Sequence, residues 1–440
     1  MTTTKNNEHN KLNFSSEREQ SQACLNSAEH EKNQGRKVLN VPNLRFPEFK
    51  GEWKKTTIGE IATIKNGPFG SVLHAEDYVD EGMPIVTTEH FKSGNLPLSK
   101  NGIPQVSEDD YCRLKGYMLE TDDIVFSRVG SVDINAHVEH VQQGWLFSGR
   151  VLRVRPIKSV NSLCLHYVLS TESVKRDIRN RAVGQTMPSI NTPILSNTGI
   201  YMSQSEAEQK KIANLLSLID ERISTQNKII EDLKMLKSAI IENVFDDKHS
   251  ERLQLDNVGS YIRGLTYSSN DVVEHGGTLV MRSNNIVNGS LLDYNNNVVF
   301  VNKQMSAEQQ LQNGDIVICM ANGSSSLVGK SSFYDGNCHS PITVGAFCGI
   351  YRSKEPIVKW LFQTNKYRRY IWNSLQGGNG AIANLNGEDI LNMSFSIPNA
   401  PIKDTCVKML TSVDSALGNN MSLCALYTLQ KQHLLRQMFI

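Results

Sequence analysis

At 440 residues the chain exceeds one ordinary globular core, so two or three domains are expected. A 39% hydrophobic and 21% charged composition, with mean hydropathy −0.35, excludes global disorder. Lys+Arg 46 against Asp+Glu 45 gives a formal net charge of +1, so attraction to an anionic partner has to be local.

Residues 1–40 hold nine hydrophobic residues without periodicity and read as a disordered extension. The start MTTTKNNEHN is no signal peptide, and no apolar run approaches the roughly 18 residues of a membrane helix. The eight cysteines (Cys24, Cys112, Cys164, Cys319, Cys338, Cys348, Cys406, Cys424) lack C-x-x-C or paired Cys/His spacing. That argues against a disulfide framework or zinc site and for a reducing cytoplasm. From Asn40, VPNLRFPEFKGEW brings two prolines, two phenylalanines and a tryptophan, enough to pin a segment on a folded body.

The rest of the chain is written twice, at a shift of 192–197 residues. Ile58, Ile61, Ile64 and Gly67 return as Leu255, Val258, Tyr261 and Gly264. Ile85-Val86 returns as Leu279-Val280, Asp123-Ile124-Val125 as Asp315-Ile316-Val317, and Ile190-Asn191 as Leu385-Asn386. Each copy opens on short β-type runs (IVTT, DIVF and RVLRV; TLVM, DIVICM and GAFCGIY) between Gly, Asn, Asp and Pro clusters. A short helical stretch and then a long amphipathic one close it. The expected fold class is α+β: two tandem pseudo-repeated globes, each followed by a long helix. The boundaries are 41–202 for the first globe, 203–248 for the central helix, 249–400 for the second globe and 401–440 for the last helix.

Between Ser203 and Val244 there is no Gly or Pro, and Ser203 or Ser205 can cap the helix with a Glu three positions on. Spacings of four and three pick out Ile212, Leu216, Ile219, Ile223, Gln226, Ile230, Leu233, Lys237, Ile240 and Val244. The second copy gives Cys406, Leu410, Val413, Leu417, Asn420, Cys424, Tyr427, Lys431, Leu434 and Met438. This 4-3 pattern is a coiled-coil seam, with polar interruptions at matching places. Each helix could instead merely pack on its own globe. The matched pattern leaves parallel and antiparallel pairing open.

Three catalytic patterns fail. ANGSSSLVGKSS encloses five residues between Gly323 and Gly329 where a phosphate loop needs four, and no helix is expected after Lys330-Ser331. Asn66-Gly67-Pro68-Phe69 lacks a proline of the amino-methyltransferase tetrapeptide, and Glu52-x-Lys54 is too common to signal a nuclease. The histidines show no metal spacing. No catalytic, cofactor or metal residue is expected.

Charge is uneven locally. Residues 150–181 carry eight basic against two acidic residues, and 343–374 carry six against one. A solvated helix face is the usual meaning, but recurrence in both copies points to two phosphate-binding surfaces. Polar loops supply base-edge readers. The DNA-contact candidates are Ser71, Arg128, Arg150, Lys175, Arg176, Arg179, Gln185, Thr186 and Asn191 in the first copy. In the second they are Arg282, Asn284, Asn322, Lys330, Lys366, Arg368, Arg369, Asn379 and Asn384.

The layout resembles the specificity subunit of Type I restriction–modification enzymes. VPNLRFPEFKGEW with Ile58-Gly59-Glu60-Ile61 looks like that family's opening, and Asn66-Gly67-Pro68-Phe69-Gly70-Ser71 like a loop of its first recognition domain. Gly184-Gln185-Thr186-Met187-Pro188-Ser189-Ile190 resembles the way out of that domain, and Glu206, Gln209, Ile212, Ala213 through Asp220 the start of the central helix. The second domain matches more loosely, with Ala381-Ile382-Ala383-Asn384 where a Thr/Gln-Pro string is common.

The resemblance implies two target-recognition domains, each reading half of a bipartite double-stranded DNA site. It also implies a paired, antiparallel coiled coil that sets the gap and docks two methylation subunits. ATP-dependent restriction subunits would join them, with S-adenosylmethionine, ATP and Mg confined to partners. A duplicated DNA-binding scaffold outside restriction and a coiled-coil adaptor without DNA are the competing readings.

Overall fold

The computed structural model describes residues 39–68, 73, 75–245, 251–375 and 383–440. The expected N-terminal extension lies outside the described residues except for its last two. By contacts the chain forms two compact units: residues up to Arg222 together with Tyr427–Ile440, and Ile223–Leu426.

The first unit runs through β1 (Lys54–Thr57), α1 (Ile58–Ile61), β2 (Ala62–Asn66), β3 (Tyr78–Val79), β4 (Met83–Val86), β5 (Gln105–Val106) and α2 (Glu108–Arg113). It continues with β6 (Ile124–Ser127), β7 (Asn135–His137), β8 (Leu146–Phe147), β9 (Val151–Pro156), α3 (Ser162–Leu169) and α4 (Glu172–Arg181). Next come α5 (Thr192–Ser196), β10 (Gly199–Met202) and the start of the long helix α6 (Glu206–Val244). The strands form two four-stranded sheets, ordered β2-β9-β6-β7 and β3-β5-β4-β8, and a β1-β10 pair. Ile124, Val125 and Phe126 are all buried, which is why β6 reads as an unbroken apolar run rather than an alternating one.

The second unit takes up the rest of α6, then β11 (Glu251–Gln254), α7 (Leu255–Val258), β12 (Gly259–Arg263), β13 (Val272–Val273), β14 (Thr278–Met281) and β15 (Val299–Val301). There follow β16 (Ile316–Cys319), β17 (Ala321–Asn322), β18 (Ser331–Phe333), β19 (Ile342–Val344), β20 (Cys348–Ser353), α8 (Val358–Leu361) and α9 (Asn365–Leu375). It ends with β21 (Ala383–Asn384), α10 (Gly387–Leu391), β22 (Ser394–Ile397) and the long helix α11 (Ala400–Gln437), whose end belongs to the first unit. Its sheets are β12-β20-β16-β18, β13-β15-β14-β19 and the pairs β11-β22 and β17-β21.

Strand order and register therefore repeat. Ile124 faces Val154 in the first unit, and the shifted residues Ile316 and Tyr351 face each other in the second. The parallel pairing at one edge of the second four-stranded sheet also recurs, β4 with β8 and β14 with β19. The internal repeat is a repeat of topology.

Ser205 caps α6, accepting from the Glu208 backbone N–H at 3.3 Å. The fully buried Glu208 carboxylate takes Arg45 Nε at 2.7 Å and Nη2 at 2.9 Å. Burial pushes this carboxyl up, but bonds from Arg45 and Ser203 outweigh it and leave it lowered. Trp53 meets Phe439 edge-on at 6.0 Å, so the Pro/Phe/Trp segment is pinned as expected.

Every seam position of α6 and α11 is buried or half-buried. In the first unit Ile212 and Leu216 share a core with Met438, and Lys431 Nζ meets Asp220 Oδ1 at 2.6 Å. In the second unit Val244 shares a core with Cys406 and Leu410. There Gln226 Nε2 donates to Asn420 Oδ1, and Lys237 Nζ meets Asp414 Oδ1 at 2.7 Å. The polar interruptions of the seam thus pair between the two long helices rather than facing solvent. At about 1.5 Å per residue, Ile212 to Val244 spans roughly 50 Å of helix.

Candidate nucleic-acid interface

In the first unit Ser127 pairs with Val151, so the end where β6 leaves the sheet coincides with the end where β9 enters it. Three segments are tied together there. The Arg128 N–H donates to the Arg150 carbonyl at 3.0 Å, and the Ile190 N–H to the Arg128 carbonyl at 2.9 Å. Val129 bridges to Ser189, and Val183 bridges back to it, closing the GQTMPS loop. The 3-10 turn Thr88–Phe91 completes the cluster: the Thr87 N–H donates to His90 Nδ1 at 3.0 Å. Two open clefts meet at Thr88, Glu89 and Arg150: one of about 550 Å³ under Pro68, Leu73 and Tyr78, one of about 260 Å³ beside Ser131 and Met187.

The second unit rebuilds the same knot. The Met320 N–H donates to the Phe347 carbonyl at 2.9 Å, and the Leu385 N–H to the Met320 carbonyl at 2.8 Å. Ala321 pairs with Asn384 as Val129 does with Ser189. The Arg282 N–H donates to Asn285 Oδ1 at 2.9 Å, opening the turn Ser283–Asn285, and Asn322 Nδ2 reaches Ser283 Oγ at 3.3 Å. Glycine is dictated at one place in each knot. A Cβ on Gly67 would strike the Ser148 carbonyl, and one on Gly264 the Gly345 carbonyl. That close approach holds the loop leading into β9 or β20.

Residues 50–235 match the family model described as "Type I restriction modification DNA specificity domain". The EcoKI specificity subunit of Escherichia coli is 35% identical over 33% of this chain and 31% of its own length. The MjaX specificity subunit of Methanocaldococcus jannaschii is 27% identical over 50% of this chain and 53% of its own. The chain thus spans about half the length of one curated relative and a third of the other. The crystal structure of the S subunit of a Type I restriction–modification system from M. genitalium shares the fold. Its TM-score is 0.60 at 16% identity, over 91% of this chain and 99% of that one. Over residues 50–235 this chain is thus similar to the Type I restriction–modification DNA specificity domain.

The residues singled out from the sequence fall into three groups. Arg150, Gln185 and Thr186 are exposed at the first knot; Arg282, Asn284, Asn322 and Asn384 lie at the second, Asn322 half-buried and the other three exposed. Arg128 belongs to the first knot but spends Nη1 on the Gly149 carbonyl at 3.1 Å. Ser71 and Asn379 lie outside the described residues.

A second group lies on helices or loops apart from the knots. Lys175 is half-buried and Arg176 exposed on α4; Lys366 is half-buried, and Arg368 and Arg369 are exposed, on α9. Arg368 and Lys330 line one cleft of about 400 Å³ with the exposed Trp372. Lys330-Ser331 runs into strand β18, not a helix, which rules out a phosphate loop there.

The third group is structural. Asn191 Oδ1 caps α5, accepting from the Ile194 N–H at 2.9 Å. Arg179 is held by Asp133 and Glu172. The basic strips are correspondingly weaker than the residue count implies, and this corrects the charge argument. Arg155 Nε pairs with Asp123 at 2.7 Å and Arg352 Nε with Asp315 at 2.8 Å, a duplicated ion pair inside each sheet. Arg181 pairs with Asp177, and Lys359 with Asp414 at 2.8 Å while lying over the Phe333 ring at 3.6 Å. These cations hold the fold and are not offered to phosphate.

Sequence reasoning passed over Tyr78, Thr88, Glu89 and Phe347. The signal was present in the repeat: Glu89 stands where the copy has Asn284, and Arg150 where the copy has Phe347. Among the described residues no group of three or more His, Cys, Asp or Glu is placed to hold a metal, and no helix is long and apolar enough to cross a membrane.

Proposed function

We propose that this chain is the DNA-reading subunit of a Type I restriction–modification complex, each unit recognising one half of a two-part site. The observation carrying this is one hydrogen-bonded knot built twice, with different exposed side chains at equivalent positions. A fixed frame with variable tips is what two readers of unlike sequences need, because phosphate contacts position while base contacts specify. The paired seams of α6 and α11 act as the spacer between half-sites. In each unit the partners' numbers fall along α11 as they rise along α6, Asp220–Lys431 and Arg222–Tyr427 in one, Asn227–Cys424 and Lys237–Asp414 in the other. That order supports an antiparallel pairing.

The chain supplies recognition and no catalysis. Two methylation subunits dock on it and use S-adenosylmethionine, and restriction subunits use ATP and Mg. The complex works in the cytoplasm on double-stranded DNA.

The test is to exchange residues 50–200 for the matching domain of a relative and map methylated bases in cells carrying the complex. One half of the modified sequence should change and the other stay. A change in both halves, or in neither, refutes the two-reader function.

A further inference from the structure

The two knots share their backbone and differ most sharply at one place. Four hydrogen bonds fix the equivalence of Arg150 and Phe347. Gly67 N–H donates to the Val151 carbonyl as Gly264 does to Cys348; Val151 N–H donates to Ser148 as Cys348 does to Gly345. Arg128 N–H donates to Arg150 as Met320 does to Phe347, and Ile190 to Arg128 as Leu385 to Met320. Neighbouring position 128 is a support, because its counterpart Met320 is 3% exposed. The tip residue is not. Arg150 is exposed and makes no ion pair among the described residues, and Phe347 is 66% exposed with no ring partner among them.

We propose that Arg150 and Phe347 are equivalent specificity-determining residues of unlike chemistry, Arg150 reading a guanine and Phe347 packing on the 5-methyl group of a thymine. This rests on the DNA-reading function above. A planar guanidinium presents two parallel donors that match guanine O6 and N7 in the major groove. A phenyl ring offers no hydrogen bond, and the thymine methyl is the one apolar group displayed on a major-groove base edge. The backbone places Phe347 at the knot: its carbonyl also takes the Ala321 N–H at 3.1 Å, and Ala321 precedes Asn322 and pairs with Asn384. A ring exposed to this extent gains buried apolar area only when an apolar surface such as a methyl group covers it.

The experiment uses the full chain with its methylation subunits and duplexes carrying the target found by methylation mapping. Each thymine of the half-site read by the second unit is replaced in turn by deoxyuridine, which removes only the methyl. The unaltered complex should lose about four-fold in affinity at one position, the worth of one buried methyl. Phe347→Ala should lose that discrimination and no other, while Phe347→Leu, still apolar, should retain part of it. Arg150→Ala should relax one guanine of the other half-site by roughly 10- to 100-fold.

Thermal unfolding reports folding separately, and the backbone bonds of Phe347 survive each substitution. If deoxyuridine is neutral everywhere, if Phe347→Ala keeps full discrimination, or if it weakens all duplexes equally as a stacking wedge would, the proposal is overturned. Should the unaltered complex prefer no duplex over any other, the DNA-reading function itself falls, which is a distinct result.

Discussion

Asp220 and Asp414 stand 194 residues apart at matching places on the two long helices, yet they are served differently. Asp220 takes Lys431 at 2.6 Å and the Tyr167 hydroxyl at 2.8 Å, one cation and one neutral donor. Asp414 takes Lys237 at 2.7 Å and Lys359 at 2.8 Å, two cations. Burial pushes the Asp414 carboxyl up, but the two lysines outweigh it and hold it below the usual carboxylate range, while burial lowers Lys359. Duplication kept the ion pair that locks the helix seam in each unit and left its neighbours free to diverge. The same holds at the reading knots: Gly67 and Gly264 are fixed by close approach, whereas Arg150 and Phe347 are not constrained by packing at all.

The largest test of this division attacks a fixed element in one unit only. Gly264→Ala places a methyl against the Gly345 carbonyl and must displace the loop carrying Phe347. Specific recognition by the second half-site should then collapse toward the non-specific level, on the order of 1,000-fold, while the first half-site keeps its sequence. Gly67→Ala should do the reverse. Methylation mapping and competition binding check both, and loss of both half-sites from either change would break the claim that the units read independently.

A second test sharpens the carboxylate comparison. Asp414→Ala strands two partly buried ammonium groups and should cost about 3 kcal/mol in denaturant unfolding, whereas Asp220→Ala strands one and should cost about half that. Equal losses would mean that the second cation of Asp414 contributes nothing.

Acid should separate the units as well. His166 is buried with Nδ1 at 2.7 Å from Asn135 Oδ1, and burial drives its pKa down to about 3. The unfolded chain takes a proton near 6.5 and the folded one refuses it until about 3. Stability is therefore full above 6.5 and lost as pH falls through that window, on the order of 2 kcal/mol by pH 5. Asp414, its carboxyl also lowered, loses stability in the same direction but in a more acid window: its contribution persists down to the ordinary carboxylate range and is lost only below it. The first unit should loosen first, read as amide-exchange protection against pH, and His166→Gln should flatten its slope between pH 6.5 and 4.

The sequence made the repeat, the α+β class and the seam legible for one physical reason: all are periodic along the chain. Ile212 to Val244 and Cys406 to Met438 follow a 4-3 spacing that only a helix pair buries. The amount of free charge was not legible. Arg155 finds Asp123, Arg179 finds Asp133 and Lys359 finds Asp414 across 32 to 55 residues, so counting neighbours in sequence overstates the charge left for phosphate. Asn191 carried its own signal, since an Asn followed by Thr-Pro is a helix start, and its carbonyl is spent there. Phe347 was passed over, although the repeat aligns it with Arg150, because an apolar residue in a strand-rich stretch reads as core. Only the topology turns it outward.

The smallest expected effect separates held cations from free ones. Arg176 is exposed on α4 with no ion pair among the described residues, and three positions on Arg179 is clamped by Asp133 and Glu172. If α4 tracks a phosphate backbone, Arg176→Ala should lower the slope of log affinity against log salt by about 0.9, roughly a three-fold loss over a four-fold rise in salt. Arg179→Ala should leave that slope nearly unchanged, because its charge is already matched, and should register in unfolding instead. On α9 the exposed pair Arg368 and Arg369 should behave like Arg176, one increment of slope each. All these changes should be the same for specific and unrelated duplexes, since phosphates carry no sequence. A slope that responds to Arg179 as strongly as to Arg176 would mean that DNA competes successfully with Asp133 and Glu172, and the paired arginines would then have to be counted among the binding surface after all.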